Sequence, residues 1–347
     1  DLVVKHRRFA KASFVVDSPG LLTTVQDEGR KGFQQYGMPV AGPMDRESYL
    51  LGQALVGNKE KLGALECTLL PPSLTLRGAT IVAFTGADMN PRINGISVPM
   101  YIPFLCHDGD LISGSLASEG MRMYISFAGG IDVPAVNGSV ATYTKACIGG
   151  YHGRALRQGD HVELKEFERD SISWCSFDYR SHRLRNAELS APSSQELKDV
   201  FGIVLGSQAR YFTETGLETF VRSAYKLTDR CDRMGFRLEG PTIEHVGEAD
   251  IISDGTVFGS VQVPKDGQPI ILMADRQTTG GYTKIGTVIT PDLPRLSQVS
   301  VGETLRFEIL SIEEAQIRYK TYLSDWEERL LIARNQSRYV FNLKREE

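Results

Sequence analysis

A carboxylate, a guanidinium, a carboxamide and two hydroxyls stand in an unbroken row in Asp275-Arg276-Gln277-Thr278-Thr279, followed by Gly280-Gly281-Tyr282. The row comes directly after Ile270-Ile271-Leu272-Met273-Ala274, an apolar run short enough for a strand buried on both faces. A rigid strand that delivers polar groups at its end holds them as closely as a site requires. Arg276 can grip a carboxylate or phosphate in a two-pronged fork. Thr278 to Gly281 can turn backbone N–H groups toward an oxyanion. The competing reading is structural, with Asp275 and Arg276 stitching a loop to the domain. Upstream, Ser253-Asp254-Gly255 and Gln262-Val263-Pro264 add polar groups to the same region.

Three more segments combine glycine with charge. Thr23-Thr24-Val25-Gln26-Asp27-Glu28-Gly29-Arg30 continues through a glycine- and proline-rich stretch to Asp45. Its glycines free backbone N–H groups to face a ligand, and Gln26, Asp27 and Arg30 supply both charges. A turn-rich connection with an internal Asp–Arg pair explains the same residues. In Cys231-Asp232-Arg233-Met234-Gly235 the adjacent Asp232 and Arg233 point to opposite sides of an extended chain, so one of them faces inward. A surface turn ahead of Phe236-Arg237-Leu238 is the alternative. Phe127-Ala128-Gly129-Gly130-Ile131-Asp132-Val133-Pro134, with Gly138-Ser139 after it, is a strand ending in a glycine-rich polar loop.

The elements that must hold these segments are mostly strands. Met121-Arg122-Met123-Tyr124-Ile125-Ser126-Phe127 and Thr304-Leu305-Arg306-Phe307-Glu308-Ile309 alternate apolar and polar, as half-buried strands do. Ile81-Val82-Ala83-Phe84 is unbroken and apolar. A glycine followed by an acid precedes strand-like runs at Gly109-Asp110, Gly159-Asp160 and Gly302-Glu303. Such turns in both halves predict closed or nearly closed barrels, their last strands starting near Gly159 and Gly302. Residues 12–166 and 197–311 are predicted as two β domains. Residues 167–196 form a linker, which includes Ser190-Ala191-Pro192-Ser193-Ser194. Helices are expected after Asp45, after Thr213 or Thr215, and after Ser311, where Glu314 completes a capping box. The last helix occupies 312–347 with a tail and carries the stripe Ala315, Tyr319, Tyr322, Trp326 and Leu330, expected to dock on the second domain.

Charge and cysteine usage narrow the function. A net charge of -4 argues against a nucleic-acid partner. The basic run Lys5-His6-Arg7-Arg8 reads as a solvated tail. Five scattered cysteines without a CxxC pair encode no local metal site and fit reduced thiols. No apolar run reaches membrane-spanning length and no signal-peptide pattern opens the sequence, so a cytoplasmic protein without membrane contact is expected. A phosphate loop ending in Gly-Lys-Ser/Thr, a dinucleotide fingerprint, HExxH and a Gly-x-Ser-x-Gly elbow are all missing from the sequence. So is an Ala-Met-Lys-Met-like segment, hence no covalent biotin is expected on this chain.

Six ordered stretches together resemble one family: Ser18 to Asp27, Thr85-Gly86-Ala87-Asp88, Gly129 to Pro134, Gly153-Arg154-Ala155-Leu156, Asp232-Arg233-Met234-Gly235 and Ala274 to Tyr282. This is the family of the 5-oxoprolinase C subunit, also called KipA-like or allophanate hydrolase subunit 2. Its module is also the second half of the carboxyltransferase domain of urea carboxylase. The sequence departs from the family in its basic N-terminal extension and long C-terminal helix. The resemblance implies a mainly β fold of two cyclophilin-like β-barrel domains with a few helices. It implies two partners, the KipI-like B subunit and the A subunit, in an ATP-dependent enzyme that opens 5-oxoproline to glutamate, with the chain inactive alone. ATP would be used by the assembled complex, through phosphorylation of the lactam oxygen and attack by water. By the same resemblance Asp275, Arg276, Gln277 and Thr278 fall on the family's signature near the cleft, and Gln26, Asp27 and Arg30 on its N-terminal one. The first four are expected to be catalytic; Gln26, Asp27, Arg30, Asp232, Arg233, Gly280, Gly281 and Tyr282 are expected to bind substrate, and no metal is expected. Two other functions stay open: a carboxyltransferase component meeting biotin carried on another chain, and a regulatory protein that binds a KipI-like kinase inhibitor.

Overall fold

A computed structural model of the chain describes residues 2–4, 7–59, 62–169, 172–177 and 199–343. Their contacts divide them into two compact units. The first is drawn from Asp1–Gly29, Asp45–Ser193 and Trp326–Glu347, the second from Arg30–Met44 and Ser194–Asp325.

The first unit is built on two sheets. The larger has eight strands in the order Leu2–Val4, Ile172–Phe177, Tyr339–Leu343, Pro103–Cys106, Thr80–Gly86, Arg122–Phe127, Ala64–Thr68 and Leu22–Gln26. The smaller has six and includes Ser13–Ser18 and Ser73–Arg77. Side-chain alternation explains the apolar run at 81–84. Val82 and Phe84 enter one core with Phe14, Phe104 and Phe127, while Ile81 and Ala83 enter another with Tyr49, Leu51 and Leu55. Those last three belong to helix α1 (Arg46–Leu55), whose N-cap Asp45 accepts from the backbone N of Ser48. Because α1 covers it, Arg122–Phe127 is buried on both faces rather than on one. Its polar members are accommodated there: the Tyr124 hydroxyl donates to Glu66 Oε2 at 2.6 Å.

Two readings of the chain ends change. Phe167–Arg169 and Ile172–Phe177, placed in the linker by the charge of the surrounding residues 166–185, are strands of this unit. Phe167–Arg169 pairs with Arg7–Phe9, so part of the basic tail is strand, and Arg8 bridges Glu166 at 2.8 Å. Lys5, His6 and the linker residues 178–196 lie outside the described residues. A pattern of charge could not reveal the second change, the insertion of Tyr339–Leu343 parallel to both Ile172–Phe177 and Pro103–Cys106.

The second unit contains a closed barrel, ordered Val200–Leu205, Lys284–Val288, Ser260–Gln262, Ile270–Leu272, Gly235–Glu239, Tyr225–Leu227 and Thr304–Ile309. Parallel pairing of Val200 with Arg306 through Ile203 with Ile309 closes it. Phe201, Phe220, Phe236, Ile271 and Phe307 are wholly or almost wholly buried in its core. Phe220 comes from α2 (Glu214–Arg222), capped by Thr213. A short α3 (Leu293–Leu296) precedes the last strand. The last strand follows Gly302, where φ is +95°. Here the backbone N of Ser300 donates to Glu303 Oε2 at 2.7 Å, as His107 does to Asp110 and Arg157 to Asp160 in the first unit. The glycine–acid pairs are thus turns in which the acid caps the N–H three residues back.

The capping box forms as expected, with Ser311 N donating to Glu314 Oε2 and Glu314 N to Ser311 Oγ. It opens α4 (Ile312–Gln336), within which the division between units falls at Asp325. The stripe does not dock on the second domain as a whole, because Ala315, Tyr319 and Tyr322 belong to the second unit but Trp326 and Leu330 to the first. Tyr319 is 41% exposed, whereas Trp326 (9%) and Ala333 are buried in the first unit beside Tyr49 and Val340.

Candidate functional site

The strand Ile270–Leu272 ends two residues earlier than its apolar run, because Met273 and Ala274 enter a turn closed by Arg276 N donating to Met273 O at 3.2 Å. Pairing with the neighbouring chain segment continues past the strand, from Met273 N to Met234 O and from Asp275 N to Arg233 O. This backbone register sets Arg233 beside Asp275. Arg233 Nε lies 3.0 Å from Asp275 Oδ2 and Nη2 lies 2.8 Å from Oδ1, a two-pronged bond between side chains 7% and 4% exposed. Arg233 Nη2 also donates to Gly42 O at 2.6 Å, which ties the 30–44 segment to the same ion pair.

Arg276 is bound differently. It is 7% exposed, yet no carboxylate pairs with it among the described residues. Nη1 makes one long bond, 3.4 Å, to Met273 O, and the guanidinium carbon stands 6.0 Å from the centre of the Phe258 ring. Its Nε is buried without a hydrogen-bond partner. Burial pulls the guanidinium below its ordinary range, since nothing of opposite charge offsets the lost water. A desolvated guanidinium with open donors favours an anion, and Asp275 is turned to Arg233 instead.

The neighbouring residues play other parts than the sequence suggests. Thr279–Tyr282 is a strand paired with Asp250–Gly255, so Gly280 and Gly281 are not the open oxyanion loop that was expected. A Cβ on Gly280 would lie 2.4 Å from Gln262 Nε2, so this glycine makes room for the glutamine. Tyr282 is exposed, and its carbonyl receives Gln262 Nε2 at 3.5 Å. Thr256 fastens the approach to the strand through Oγ1 to Gln277 O and N to Thr278 O. The side chains of Gln277 and Thr278 are half-buried and bond to no described group. Asp232 faces outward and caps the turn, accepting from Met234 N at 2.7 Å and Gly235 N at 3.1 Å. Of the pair at 232–233, Arg233 is the residue that turns inward.

Gln26 and Asp27 belong to the first unit, whereas Arg30, whose side chain is buried, belongs to the second. Asp27 commits both oxygens within its own unit, accepting from Gly29 N, Ser139 Oγ and Val140 N. It therefore fixes the Gly138-Ser139 loop. Gln26 donates from Nε2 to Thr24 Oγ1 and Thr142 O, while its buried Oε1 has no hydrogen-bond partner. Phe258, Thr256 and the Gly42 carbonyl were not foreseen. Phe258 lies only a few residues past the Ser253-Asp254-Gly255 segment, but an aromatic in a polar loop carries no signal for the arginine it meets. Among the described residues no group of three or more His, Cys, Asp or Glu is arranged to hold a metal ion, and no helix is long and apolar enough to cross a membrane.

A family model described as the carboxyltransferase domain, subdomains A and B, matches residues 36–309. The C subunit of 5-oxoprolinase from Escherichia coli (strain K12) is 35% identical over 298 residues, or 85% of this chain and 91% of that protein. The urea amidolyase of Saccharomyces cerevisiae is 28% identical over 327 residues, 90% of this chain but 17% of that protein. The crystal structure of the Kluyveromyces lactis urea amidolyase matches with a TM-score of 0.80 at 28% identity, covering 91% of this chain. The chain spans 20% of that structure.

Proposed function

The chain belongs to the carboxyltransferase-domain family, subdomains A and B, and on that premise we propose that it is the C subunit of a cytoplasmic ATP-dependent 5-oxoprolinase. Together with the A and B subunits it opens the lactam of 5-oxoproline to glutamate. The observation that carries this reading is the buried Arg276, which no carboxylate among the described residues pairs with, on a turn locked by Arg233 and Asp275. 5-Oxoproline presents one carboxylate, on the ring carbon bonded to its lactam nitrogen. A guanidinium fork matches that carboxylate, and a turn held by a buried ion pair keeps the fork from swinging. Gln277 and Thr278, next in the chain, supply the neutral donors and acceptors that a lactam requires.

Among the described residues of this chain no arrangement that would hold ATP is identified. The sequence has no phosphate loop, and the cleft found in the second unit, about 200 Å³, is smaller than the roughly 300 Å³ at which sites for drug-sized ligands begin. No step through the nucleotide is therefore assigned to its side chains. Biotin chemistry is the second reading, favoured by the fold match to urea amidolyase.

The test mixes the chain with the A and B subunits, ATP and 5-oxoproline and measures glutamate. Formation of glutamate only by the full set supports the proposal. Avidin-sensitive carboxyl transfer instead would establish the second reading. Stable binding of the KipI-like B subunit without turnover by the full set would favour a regulatory role. Arg276→Lys keeps the charge but loses the planar fork. It should lower kcat/KM of the assembled enzyme by roughly ten- to a hundredfold, the equivalent of one charge-assisted bond.

A further inference from the structure

The cleft of about 200 Å³ in the second unit includes neither Arg276 nor Arg233 in its walls. Its one cationic wall residue is Lys284, fixed by a closed ring of three bonds. The backbone N of Lys284 donates to Gln208 Oε1, Lys284 Nζ donates to Asp254 Oδ2, and Gln208 Nε2 donates to that same Oδ2, each at 2.8 Å. The lysine side chain is 14% exposed, so it is held in place rather than waving in solvent. An ammonium carries three donors. Asp254 accepts one, and the other two meet no acceptor among the described residues.

The remaining polar walls are also donors. Ser260 is buried, and its Oγ accepts from Val257 N at 3.1 Å, which leaves the hydroxyl proton to point elsewhere. The hydroxyls of Ser207 and Thr287 bond to no described group. No carboxylate side chain lines the cleft. Two wall glycines keep it open for no reason internal to the chain. Gly206 has φ -89° and ψ 171°, an extended conformation any residue adopts. A Cβ placed there would find its nearest atom at 3.9 Å, and one on Gly255 would find nothing within 4 Å. Neither backbone conformation nor packing demands glycine at these positions, and what the missing side chains leave is room.

We propose that this cleft binds the carboxylate of a small molecule, with Lys284 as the charge partner and Ser207, Ser260 and Thr287 as neutral donors. A carboxylate is favoured over phosphate by Asp254. Its hydrogen bond to Lys284 holds it below the usual carboxylate range, so it stays ionised at neutral pH and disfavours a second negative charge beside the lysine. This site shares no residue with the one assigned to 5-oxoproline and stands whether or not that assignment does.

The experiment is a backbone amide NMR titration of the full chain with sodium acetate and separately with inorganic phosphate, at constant ionic strength in chloride. Acetate should shift the amide of Ser207 saturably. Lys284→Met should weaken the binding tenfold or more, and Gly255→Ala, which changes no charge, should weaken it by filling the room. Arg276→Lys should leave it intact, which separates this site from the one in the proposed function. Tighter binding of phosphate than acetate would overturn the carboxylate assignment. Shifts that do not saturate, or that survive both Lys284→Met and Gly255→Ala, would overturn the site. If Lys284→Met does not fold, Gly255→Ala alone decides.

Discussion

Two arginines close together in the second unit should respond to the same substitution with opposite consequences. Arg233→Met leaves Asp275 ionised, 3% exposed and without its two-pronged partner, and leaves the Gly42 carbonyl without its 2.6 Å donor. Breaking a buried pair by removing one member costs about 3–5 kcal/mol. At roughly 2–4 °C per kcal/mol for a unit of this size, the melting temperature of the second unit should fall by about 6–20 °C. Arg276→Met removes a guanidinium that burial already disfavours and that has no carboxylate to strand. What it loses is the cation–π contact with Phe258, about 2 kcal/mol at a desolvated site, and one long hydrogen bond. What it gains is relief from desolvation and a methionine that fills the same space. The net change should stay within about 1 kcal/mol, or roughly 4 °C. Differential scanning calorimetry reads the melting temperature, and glutamate formation by the full enzyme reads activity. The expected result is a stable, inactive Arg276→Met and an unstable Arg233→Met. If Arg276→Met proved as destabilising as Arg233→Met, Arg276 would be a structural tie and the reasoning would fail.

Trp326→Ala should destabilise the first unit by about 3–5 kcal/mol, because its ring is buried beside Tyr49 and Val340. Tyr319→Ala, on the exposed part of the same helix, should change the melting temperature little; equal losses would refute the split in the helix. Acid should act through Asp160, which accepts two bonds from Arg154 at 2.7 and 2.8 Å and is held below the usual carboxylate range chiefly by that arginine. A depressed folded pKa gives stability that is present above about pH 4 and is lost as pH falls below it. Between about pH 5 and 3, urea unfolding should therefore show wild type losing more stability than Asp160→Asn; parallel losses would contradict the assignment.

What the sequence made legible was local. Asp45, Thr213 and the Ser311–Glu314 box cap the helices they were assigned to, because a cap is decided within about four residues. The glycine–acid turns are legible for the same reason. The misread elements depend on partners far away. Arg122–Phe127 alternates like a half-buried strand, and only the packing of α1 against it shows why Tyr124 and Ser126 are buried as well. Phe167–Arg169 and Ile172–Phe177 lie in a stretch, residues 166–185, whose charge suits a linker, but they find edges to pair with. One of those edges is Tyr339–Leu343, far along the chain. Its parallel pairing needs a long excursion of the chain, and no motif marks where such an excursion returns.

The candidate site shows the same limit at the scale of two residues. Asp275 next to Arg276 suggests a pair, with the carboxylate steering the guanidinium. Backbone bonds from Asp275 N to Arg233 O and from Arg276 N to Met273 O decide otherwise. The first bond places Asp275 against Arg233, and the second turns the chain so that Arg276 leaves in another direction. Had Asp275 taken Arg276 in the two-pronged bond it makes with Arg233, the fork that a substrate anion needs would be filled. Because Arg233 occupies both oxygens of Asp275, Arg276 keeps its charge, its donors and its burial at once. Arg233 cannot serve as the anion site, since its fork is filled. The case for Arg276 therefore lies in the partner it lacks.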